Sequence, residues 1–357
     1  MKKLDWYIVK KFWATFFFAI MILAIIACVI DYSEKVEDFV AHKAPAMAIL
    51  NYFKNFIPHI SALLFPLFIF IATIFFTSKL AYKSEIIAIL ASGVSYQRFL
   101  RPYVVGGGAL CLLSLVSNHF IVPQANKQRL AFERTYITTA SHASDRNVHL
   151  RLSKDLYVYV MTYDYNANIG YHFTAEYMDS TSLSYKIYAG HINYDSIKKE
   201  YKLYEVRIRR FDGLKEEMRL LADTVMKFPF KPRDLEEDEA VKDALTTPEL
   251  DRYIAREKLR GRETLNFFYI EKHRRTAQPF AGFILTIIGA CLASRKIRGG
   301  SGLHLAIGIC ISALYIMAMQ FTTTFSTKAS LDPLLAVWIP NFIFGVLALY
   351  LYRKQVK

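Results

Sequence analysis

The chain has 357 residues, of which 54% are hydrophobic, 15% aromatic and 21% charged, and its formal net charge is +14. This apolar content excludes an intrinsically disordered chain, because disordered segments lack the apolar area that forms a core. The four cysteines are too few for a disulfide scaffold and have no metal-binding spacing. The positive charge is typical of nucleic-acid-binding proteins only when it lies on one surface of a soluble domain.

Six apolar segments without Asp, Glu, Lys or Arg, each 18 to 21 residues long, predict six transmembrane helices. About 20 helical residues cross a hydrocarbon core of ~30 Å, so each segment is long enough to span it once. A self-contained secondary transporter normally has ionisable residues near the middle of its helices, and the absence of such residues argues against that class. The segments are Phe12–Ile30, Ile57–Thr77, Pro102–Val122, Thr276–Ala293, Leu303–Thr323 and Leu334–Tyr352.

Lysine and arginine are concentrated at the N terminus, in the loops after the second and fourth apolar segments, and in the C-terminal tail. If the helices alternate in direction, these four regions lie on one side of the membrane, and an excess of Lys and Arg marks the cytoplasmic side. The sequence therefore predicts that both termini are cytoplasmic. The positive charge then has a topological explanation, and no nucleic-acid partner is expected.

The cytoplasmic loop after the second apolar segment contains a predicted short amphipathic helix at about residues 84–93. Ser84 occupies the N-cap position, Glu85 lies in the first turn where the helix dipole favours an acidic residue, and Gly93 can end the helix. Such a helix either lies on the inner leaflet or docks into a cytoplasmic partner protein, and its periodicity allows both. Its apolar face consists of Ile86, Ile87 and Leu90.

The opposite side of the membrane receives a long insert at about residues 123–275. Short alternating stretches rich in Tyr, Val and Ile predict β-strands, and we expect an external all-β domain with the fold of an antiparallel sandwich or a jelly roll. Linker helices at about 247–275 follow, the first of which begins at a capping box formed by Thr246 and Glu249. The predicted strands are Val148–Met161, Ile169–Tyr177, Ser184–Tyr194, Tyr201–Phe211 and Met218–Phe228.

The predicted organisation is therefore three transmembrane helices in residues 1–122, the external β domain with its linker helices in 123–275, and three transmembrane helices in 276–357. No Walker A, HExxH, GxSxG or GxGxxG pattern occurs in the sequence. The sequence thus predicts a membrane α-helical protein that is not an enzyme and binds no cofactor of its own.

Several motifs resemble those of the LptF/LptG (YjgP/YjgQ) permeases of lipopolysaccharide export. Residues 84–95, SEIIAILASGVS, resemble the cytoplasmic coupling helix of that family, and the order of three helices, external domain and three helices is also similar. The resemblance covers nearly the whole chain, although the external strands match only in type. The Leu4–Asp5 opening favours the LptG type. The other motifs, in family order, are Leu4–Ile8, Val122–Gln124, Arg275–Phe280 and Ala336–Asn341.

The resemblance implies half of an ABC transporter in the inner membrane of a Gram-negative bacterium. The expected partners are a second LptF/LptG-type permease, two copies of a cytoplasmic ABC ATPase that binds ATP and Mg²⁺, a periplasmic jelly-roll protein that accepts lipopolysaccharide, and lipopolysaccharide itself. Glu85 occupies the position of the coupling-helix glutamate of the family. We therefore expect the ATPase to contact Ser84, Glu85, Ile86, Ile87, Leu90 and Gly93.

The alternative is a membrane-anchored periplasmic scaffold protein that recruits partners without transport activity. One helix is enough for anchoring, so six apolar segments and a docking helix favour the transporter.

A lipopolysaccharide site should combine apolar residues within the membrane with cations at its periplasmic rim, because the lipid has acyl chains below phosphates. The first apolar segment ends in Asp31–Lys35, which is more acidic than the corresponding region of the family. The cationic candidates are Lys35, Arg129, Arg134, Arg275 and Lys328, and the apolar candidates are Phe17 and Phe321.

Overall fold

A computed structural model describes residues 3–137, 144–164, 167–179, 182–213, 215–235, 241–259, 265–295, 301–329 and 331–356. The chain divides into two compact units. The helical unit comprises Met1–Ile137, Val241–Leu250 and Asn266–Lys357, and the β unit comprises Thr138–Ala240 and Asp251–Leu265.

Among the described residues, the helical unit contains six helices that are long and apolar enough to cross a membrane, which confirms the predicted number of spans. The first of them is 39 residues long and extends beyond the predicted apolar segment at both ends. The helices of this unit are α1 (Lys3–Ala41), α2 (Ala46–Leu63), α3 (Phe65–Tyr82), α4 (Glu85–Ala91), α5 (Tyr96–Val116), a π-helical segment (Ser117–Ile121), α6 (Val122–Tyr136), α8 (Val241–Ala244), α10 (Leu265–Ala293), α11 (Ser301–Lys328) and α12 (Pro333–Val356).

The centre of the helical unit is formed by α3 and α10, which pack closely through glycine. A Cβ atom added at Gly282 of α10 would lie 2.6 Å from the Phe65 ring, and one added at Gly289 would lie 3.1 Å from the Phe70 ring. The apolar windows of α3 and α10 are 72% and 61% buried, whereas those of α1 and α11 are only 11% and 22% buried. The outer helices α1 and α11 therefore present apolar surface that only lipid or another protein can cover.

The second predicted span is wrong in one respect, because Ile57–Thr77 is not one continuous helix. Helix α2 ends at Leu63 and α3 begins at Phe65. Pro66 has no N–H group to donate to the carbonyl of Ala62, four residues earlier. The Gln278 amide of α10 donates to that carbonyl at 2.7 Å and to the Leu63 carbonyl at 3.1 Å. A side chain that is distant in sequence thus stabilises the break.

The third span also continues further than predicted. Helix α5 passes through the π-helical segment into α6 without interruption, so that Tyr96–Tyr136 forms a helix of 41 residues. The boundary predicted at residue 123 falls inside this helix. Pro123 lies in the first turn after the π-helical segment, where local π geometry can accommodate the missing N–H group.

In the residues that the structure describes, the strands of the β unit form one antiparallel sheet of six strands in sequential order, and the predicted insertion of an antiparallel β domain is confirmed. The first predicted stretch, Val148–Met161, is wrong as a single strand, because a turn at Ser153–Asp155 divides it. The described strands form a meander, and the crossovers of a complete jelly roll are not among them. The strands are β1 (Ser144–Arg151), β2 (Leu156–Asp164), β3 (Ile169–Asp179), β4 (Ser182–Asp195), β5 (Glu200–Asp212) and β6 (Lys215–Met226).

One side of the sheet carries the core of the β unit, which includes Val158, Phe173 and Ile187. The segment after β6 returns over this core and places Phe228 and Phe230 against it, and the short helix α7 (Pro232–Leu235) follows. Helix α9 (Thr247–Leu259) begins at the predicted capping box, in which the Thr246 N–H and hydroxyl both donate to Glu249 Oε2, at 2.9 and 2.8 Å.

Candidate functional sites

At one end of the helical unit, the beginning of α1, the short helix α4 and the beginning of α5 lie together, and we call this end the terminal face. Helix α4 has seven residues. Ser84 precedes it with a left-handed backbone (φ 59°), and its carbonyl accepts a hydrogen bond from the Ala88 N–H at 3.0 Å. Gly93 follows it at φ 85°, which favours glycine. The short helix therefore occurs where the sequence predicts it.

Helix α1 positions the Glu85 carboxylate. The Tyr7 hydroxyl donates to Glu85 Oε2 at 3.2 Å. Lys11 donates to the Tyr7 hydroxyl, and its ammonium lies 4.2 Å from the centre of the Tyr7 ring. Tyr7 and Lys11 are four residues apart and thus share one face of α1. The Glu85 side chain is only partly buried, so this contact orients the carboxylate without enclosing it.

A second contact on the terminal face joins α1 to α5. Asp5 is 4% exposed, and its carboxylate accepts a hydrogen bond from the Arg98 guanidinium at 2.7 Å. The Ser95 hydroxyl caps α5 by accepting the Arg98 N–H at 3.3 Å. A buried carboxylate depends strongly on its cation, because an unpaired buried charge is costly. The beginning of α1 is therefore tied to α5 through Asp5 and to α4 through Tyr7.

The three residues predicted to form one apolar face of α4 have different environments. Ile86 is 1% exposed and packs with the core residues of α3 and α5, and Leu90 packs against the same cluster. Ile87 is 51% exposed and Tyr82, just before α4, is 66% exposed. The prediction of a single docking face is wrong for Ile86, since a buried anchor is not available to a partner. Ile87 and Tyr82 are the side chains that a partner could contact.

At the other end of the helical unit, α1, α2 and α6 meet around Lys35. The Lys35 ammonium lies 2.7 Å from Asp31 Oδ1, 2.6 Å from the Tyr52 hydroxyl and 3.0 Å from Glu133 Oε1. Arg129 donates two hydrogen bonds to Glu133, at 2.8 and 2.9 Å. Both predicted lipid cations, Lys35 and Arg129, are thus paired with carboxylates of the same chain.

Tyr52 is the central neutral member of this network. It is 1% exposed, and its hydroxyl lies 2.9 Å from Asp31 Oδ2 and 3.1 Å from Glu133 Oε1. Burial raises the pKa of the Tyr52 hydroxyl, and the charges of Glu133 and Asp31 raise it further. The hydroxyl therefore stays protonated and acts as a donor between the two carboxylates.

Arg275 lies in a second, more buried network, and its predicted place at an exposed rim is wrong. It is 3% exposed, and its guanidinium donates to Glu271 at 3.0 Å and to the Lys242 carbonyl at 2.8 Å. Its partners on α8 and α10 enclose it, so it joins the segment at 241–247 to α10. Burial raises the pKa of the nearby Asp243 carboxyl to about 6, and the charge of Glu271 adds to this effect.

The remaining lipid candidates are exposed. Phe17 of α1 is 47% exposed and Phe321 of α11 is 61% exposed. Arg134 and Lys328, at the ends of α6 and α11, are also exposed. In the part of the chain that the structure describes, Lys328 has no ion pair.

Two of the family-like motifs meet in the centre of the helical unit. Asn341, in Ala336–Asn341 of α12, donates to the Ala277 carbonyl of α10 at 2.9 Å and accepts from the Tyr315 hydroxyl at 2.9 Å. This buried amide joins α10, α11 and α12. Gln278, in the same α10 motif, stabilises the break between α2 and α3. These motifs therefore satisfy buried polar groups at helix contacts.

Sequence reasoning missed the partners of the predicted cations. The spacings Asp31–Lys35 and Arg129–Glu133 are both i, i+4, the separation that places opposite charges side by side on a helix, and this signal could have indicated pairing. Tyr52 gave no such signal, because it joins the network only through the packing of α2 against α6. Among the described residues, no group of three or more His, Cys, Asp or Glu side chains could hold a metal ion.

A comparison with protein-family models matches residues 6–354 to the lipopolysaccharide export system permease LptF/LptG. The chain belongs to the LptF/LptG family. This membership and the six apolar helices make it a multi-pass inner-membrane protein and a transporter subunit with a role in lipopolysaccharide transport. The LptF/LptG match does not separate the two types, and the preference for LptG stays a prediction. A comparison with curated proteins gives no match.

Proposed function

We propose that the chain is one half of the membrane channel of a lipopolysaccharide exporter, driven by a separate cytoplasmic ABC ATPase that docks on the terminal face. The observation that carries this proposal is the anchoring of α4: Ile86 is buried in the helical core, while Tyr82 and Ile87 face outward beside Glu85. A helix anchored on one side and exposed on the other can transmit the movement of a partner.

In this proposal the terminal face is cytoplasmic and the β unit is periplasmic, as the distribution of Lys and Arg predicts. A second LptF/LptG-type permease completes the channel, two ATPase copies bind ATP and Mg²⁺, and a periplasmic jelly-roll protein receives the lipid. The apolar surface of α1 and α11 is where we expect the second permease and the lipid to lie, with Phe17 and Phe321 within the membrane. Arg134 and Lys328 are the candidates for phosphate contacts.

The contacts of α1 suggest how movement at α4 reaches the lipid. Helix α1 is 39 residues long, which corresponds to about 58 Å. Its beginning is tied to α4 and α5 by Tyr7 and Asp5, and its end is tied to α6 through Lys35 and Glu133. Between these contacts most of its apolar surface is exposed. We infer that α1 moves as a lever between the ATPase and the lipid.

The test is to replace Ile87 and Glu85 of α4 while leaving the anchor Ile86 intact. Ile87→Asp and Glu85→Ala should reduce co-purification with the ATPase and its stimulation by lipopolysaccharide, because Ile87 is exposed and Glu85 is the partly buried carboxylate that Tyr7 orients. Gln97→Asp, which adds the same charge to an exposed site on α5, is the matched control. Normal binding and ATP hydrolysis in both α4 variants would contradict the coupling function and favour the scaffold alternative.

A further inference from the structure

The side of the β-sheet that faces away from its core carries a cleft of about 710 Å³. Successive side chains of β2 point to opposite faces of the sheet here: Val158 points into the core, whereas Tyr157 and Tyr159 point to the other side. The cleft extends over the first four strands. Its main polar and aromatic side chains are His149, Arg151, Tyr157, Tyr159, Glu176 and Lys186.

The strand register arranges these side chains in two parallel rows. In the first row, Arg151 lies opposite Tyr157, Tyr157 opposite Glu176, and Glu176 opposite Lys186. The Arg151 guanidinium lies 5.1 Å from the centre of the Tyr157 ring. In the second row, the rings of His149 and Tyr159 are 4.6 Å apart. Each row therefore combines an aromatic surface with hydrogen-bonding groups.

The two cationic side chains of the cleft, Arg151 and Lys186, differ in whether a carboxylate pairs with them. The Arg151 guanidinium donates to the carbonyls of Ser153 and Lys154, at 3.2 and 3.0 Å, which orients it without neutralising its charge. In the part of the chain that the structure describes, no carboxylate pairs with Arg151. The Lys186 ammonium, in contrast, lies 2.6 Å from Glu176 Oε1. One end of the cleft is thus cationic, and the other offers a donor and an acceptor side by side.

This combination fits a ligand with apolar ring faces, hydroxyl groups and one anionic substituent. Tyrosine presents an apolar ring with a polar tip, and arginine is the side chain that best matches the geometry of phosphate. We propose that the cleft binds a phosphorylated saccharide, with sugar rings against Tyr157 and Tyr159, hydroxyl groups at Glu176 and Lys186, and a phosphate at Arg151. This proposal rests on the proposed function in one respect only: the saccharide is taken to be that of lipopolysaccharide.

The experiment uses the full chain in detergent and isothermal titration calorimetry. The probes are a deacylated, phosphorylated oligosaccharide from lipopolysaccharide, the same oligosaccharide after phosphatase treatment, and inorganic phosphate. We expect the phosphorylated oligosaccharide to bind at least about tenfold more tightly than either other probe. The dephosphorylated probe loses the charged hydrogen bonds to Arg151, and inorganic phosphate loses the contacts of the sugar with the tyrosine rings. This comparison needs no variant. A free anionic sugar, glucose 1-phosphate, tests whether a lipid-derived oligosaccharide is required.

Substitutions inside and outside the cleft test where on the sheet the oligosaccharide binds. Arg151→Gln and Tyr157→Ser should each weaken oligosaccharide binding about tenfold. Tyr171→Ser and Arg219→Gln, exposed side chains of the same sheet outside the cleft, are matched controls and should bind like the wild type. Absence of binding, equal binding of the dephosphorylated probe, or equal loss in cleft and control variants would overturn the proposal.

Measuring lipopolysaccharide release by the complete complex distinguishes a failure of this proposal from a failure of the proposed function. Oligosaccharide binding with the expected variant pattern supports the cleft even if the complex releases no lipopolysaccharide. Normal release of lipopolysaccharide without oligosaccharide binding overturns the proposal for the cleft and leaves the proposed function standing.

Discussion

Lys35 of α1 lies 3.0 Å from Glu133 of α6, and this contact between residues 98 positions apart in the sequence connects the two helices. Asp31 and Tyr52 complete the contact, so the end of α1 is fastened to α2 as well as to α6. Any movement of α1 relative to α6 must break or rearrange this network. Its strength therefore bears on both stability and transport.

We expect Lys35→Met to lower the free energy of unfolding by about 1–3 kcal/mol, because it leaves Asp31 and Glu133 close together without their shared cation. Thermal unfolding in detergent measures this loss. The double variant Lys35→Met, Asp31→Asn should recover part of it, since one of the two carboxylate charges is removed. Lys328→Met, which removes an exposed cation, is the control. Equal stability of Lys35→Met and this control would contradict a structural function of the network.

We expect Asp5→Asn to uncouple ATP hydrolysis from lipopolysaccharide release. The change weakens the contact with Arg98 that holds α1 beside α5 and α4, while the exposed side chains of α4 stay in place. The reconstituted complex should hydrolyse ATP at nearly the normal rate and release lipopolysaccharide several-fold more slowly. Arg101→Met, at an exposed position of α5, serves as the comparison. Equal loss of hydrolysis and release would indicate that Asp5 affects binding of the ATPase itself.

The break between α2 and α3 allows a test of whether the Gln278 amide replaces the N–H group that Pro66 lacks. Gln278→Leu removes the donor to the Ala62 and Leu63 carbonyls and should cost about 1–3 kcal/mol. Pro66→Ala restores a backbone N–H that can pair with the Ala62 carbonyl. The cost of Gln278→Leu should therefore be smaller when Pro66→Ala is present. Additive effects in thermal unfolding would show that Gln278 does not replace the missing N–H group.

Asp243 should make the stability of the folded protein depend on pH in a definite direction. Its pKa in the folded protein is raised to about 6 from an ordinary value of 3.8, so the folded state binds a proton more readily than the unfolded state. This carboxyl therefore lowers stability above pH 6, and the penalty disappears as the pH falls toward 4. The groups that face it are Glu271, Lys242, Arg274 and Arg275.

Asp243→Asn should accordingly stabilise the protein at pH 7.5, by on the order of 1 kcal/mol, and have less effect at pH 4.5. Unfolding followed at both pH values tests this difference. Asp212→Asn, at an exposed position of the β unit, should show no such pH dependence. A larger stabilisation at the lower pH would contradict the assigned pKa shift.

The proposed topology can be tested by cysteine labelling in a variant without the four native cysteines. Ile87 is 51% exposed and Ile197 is 93% exposed, so both positions accept a label. In intact cells, a membrane-impermeant maleimide that passes the outer membrane should label Ile197→Cys and not Ile87→Cys. Both should react after the inner membrane is opened. Labelling of both positions in intact cells would place them on one side and rule out the proposed arrangement.

The sequence by itself determined the number of membrane-crossing helices, the inserted β domain, the short helix α4 and the family. These features depend on local properties: the length of an uncharged apolar segment, the alternation of a strand, and the glycine that follows α4. Each is encoded by neighbouring residues and needs no knowledge of tertiary contacts. The family motifs could be recognised because each also consists of neighbouring residues, although the sequence did not reveal which groups their side chains contact.

Only the tertiary structure decided which predicted residues are accessible. Ile86 and Ile87 are adjacent in sequence, yet one is buried and the other exposed, because α4 packs against α3 and α5 on one side only. The sequence suggests that Arg275 is a rim cation, but Glu271 of the same helix pairs with it and the segment at 241–247 supplies the Lys242 carbonyl. Burial and ion pairing depend on elements far away in the chain, so the charge of a side chain could be read from the sequence while its availability to a ligand could not.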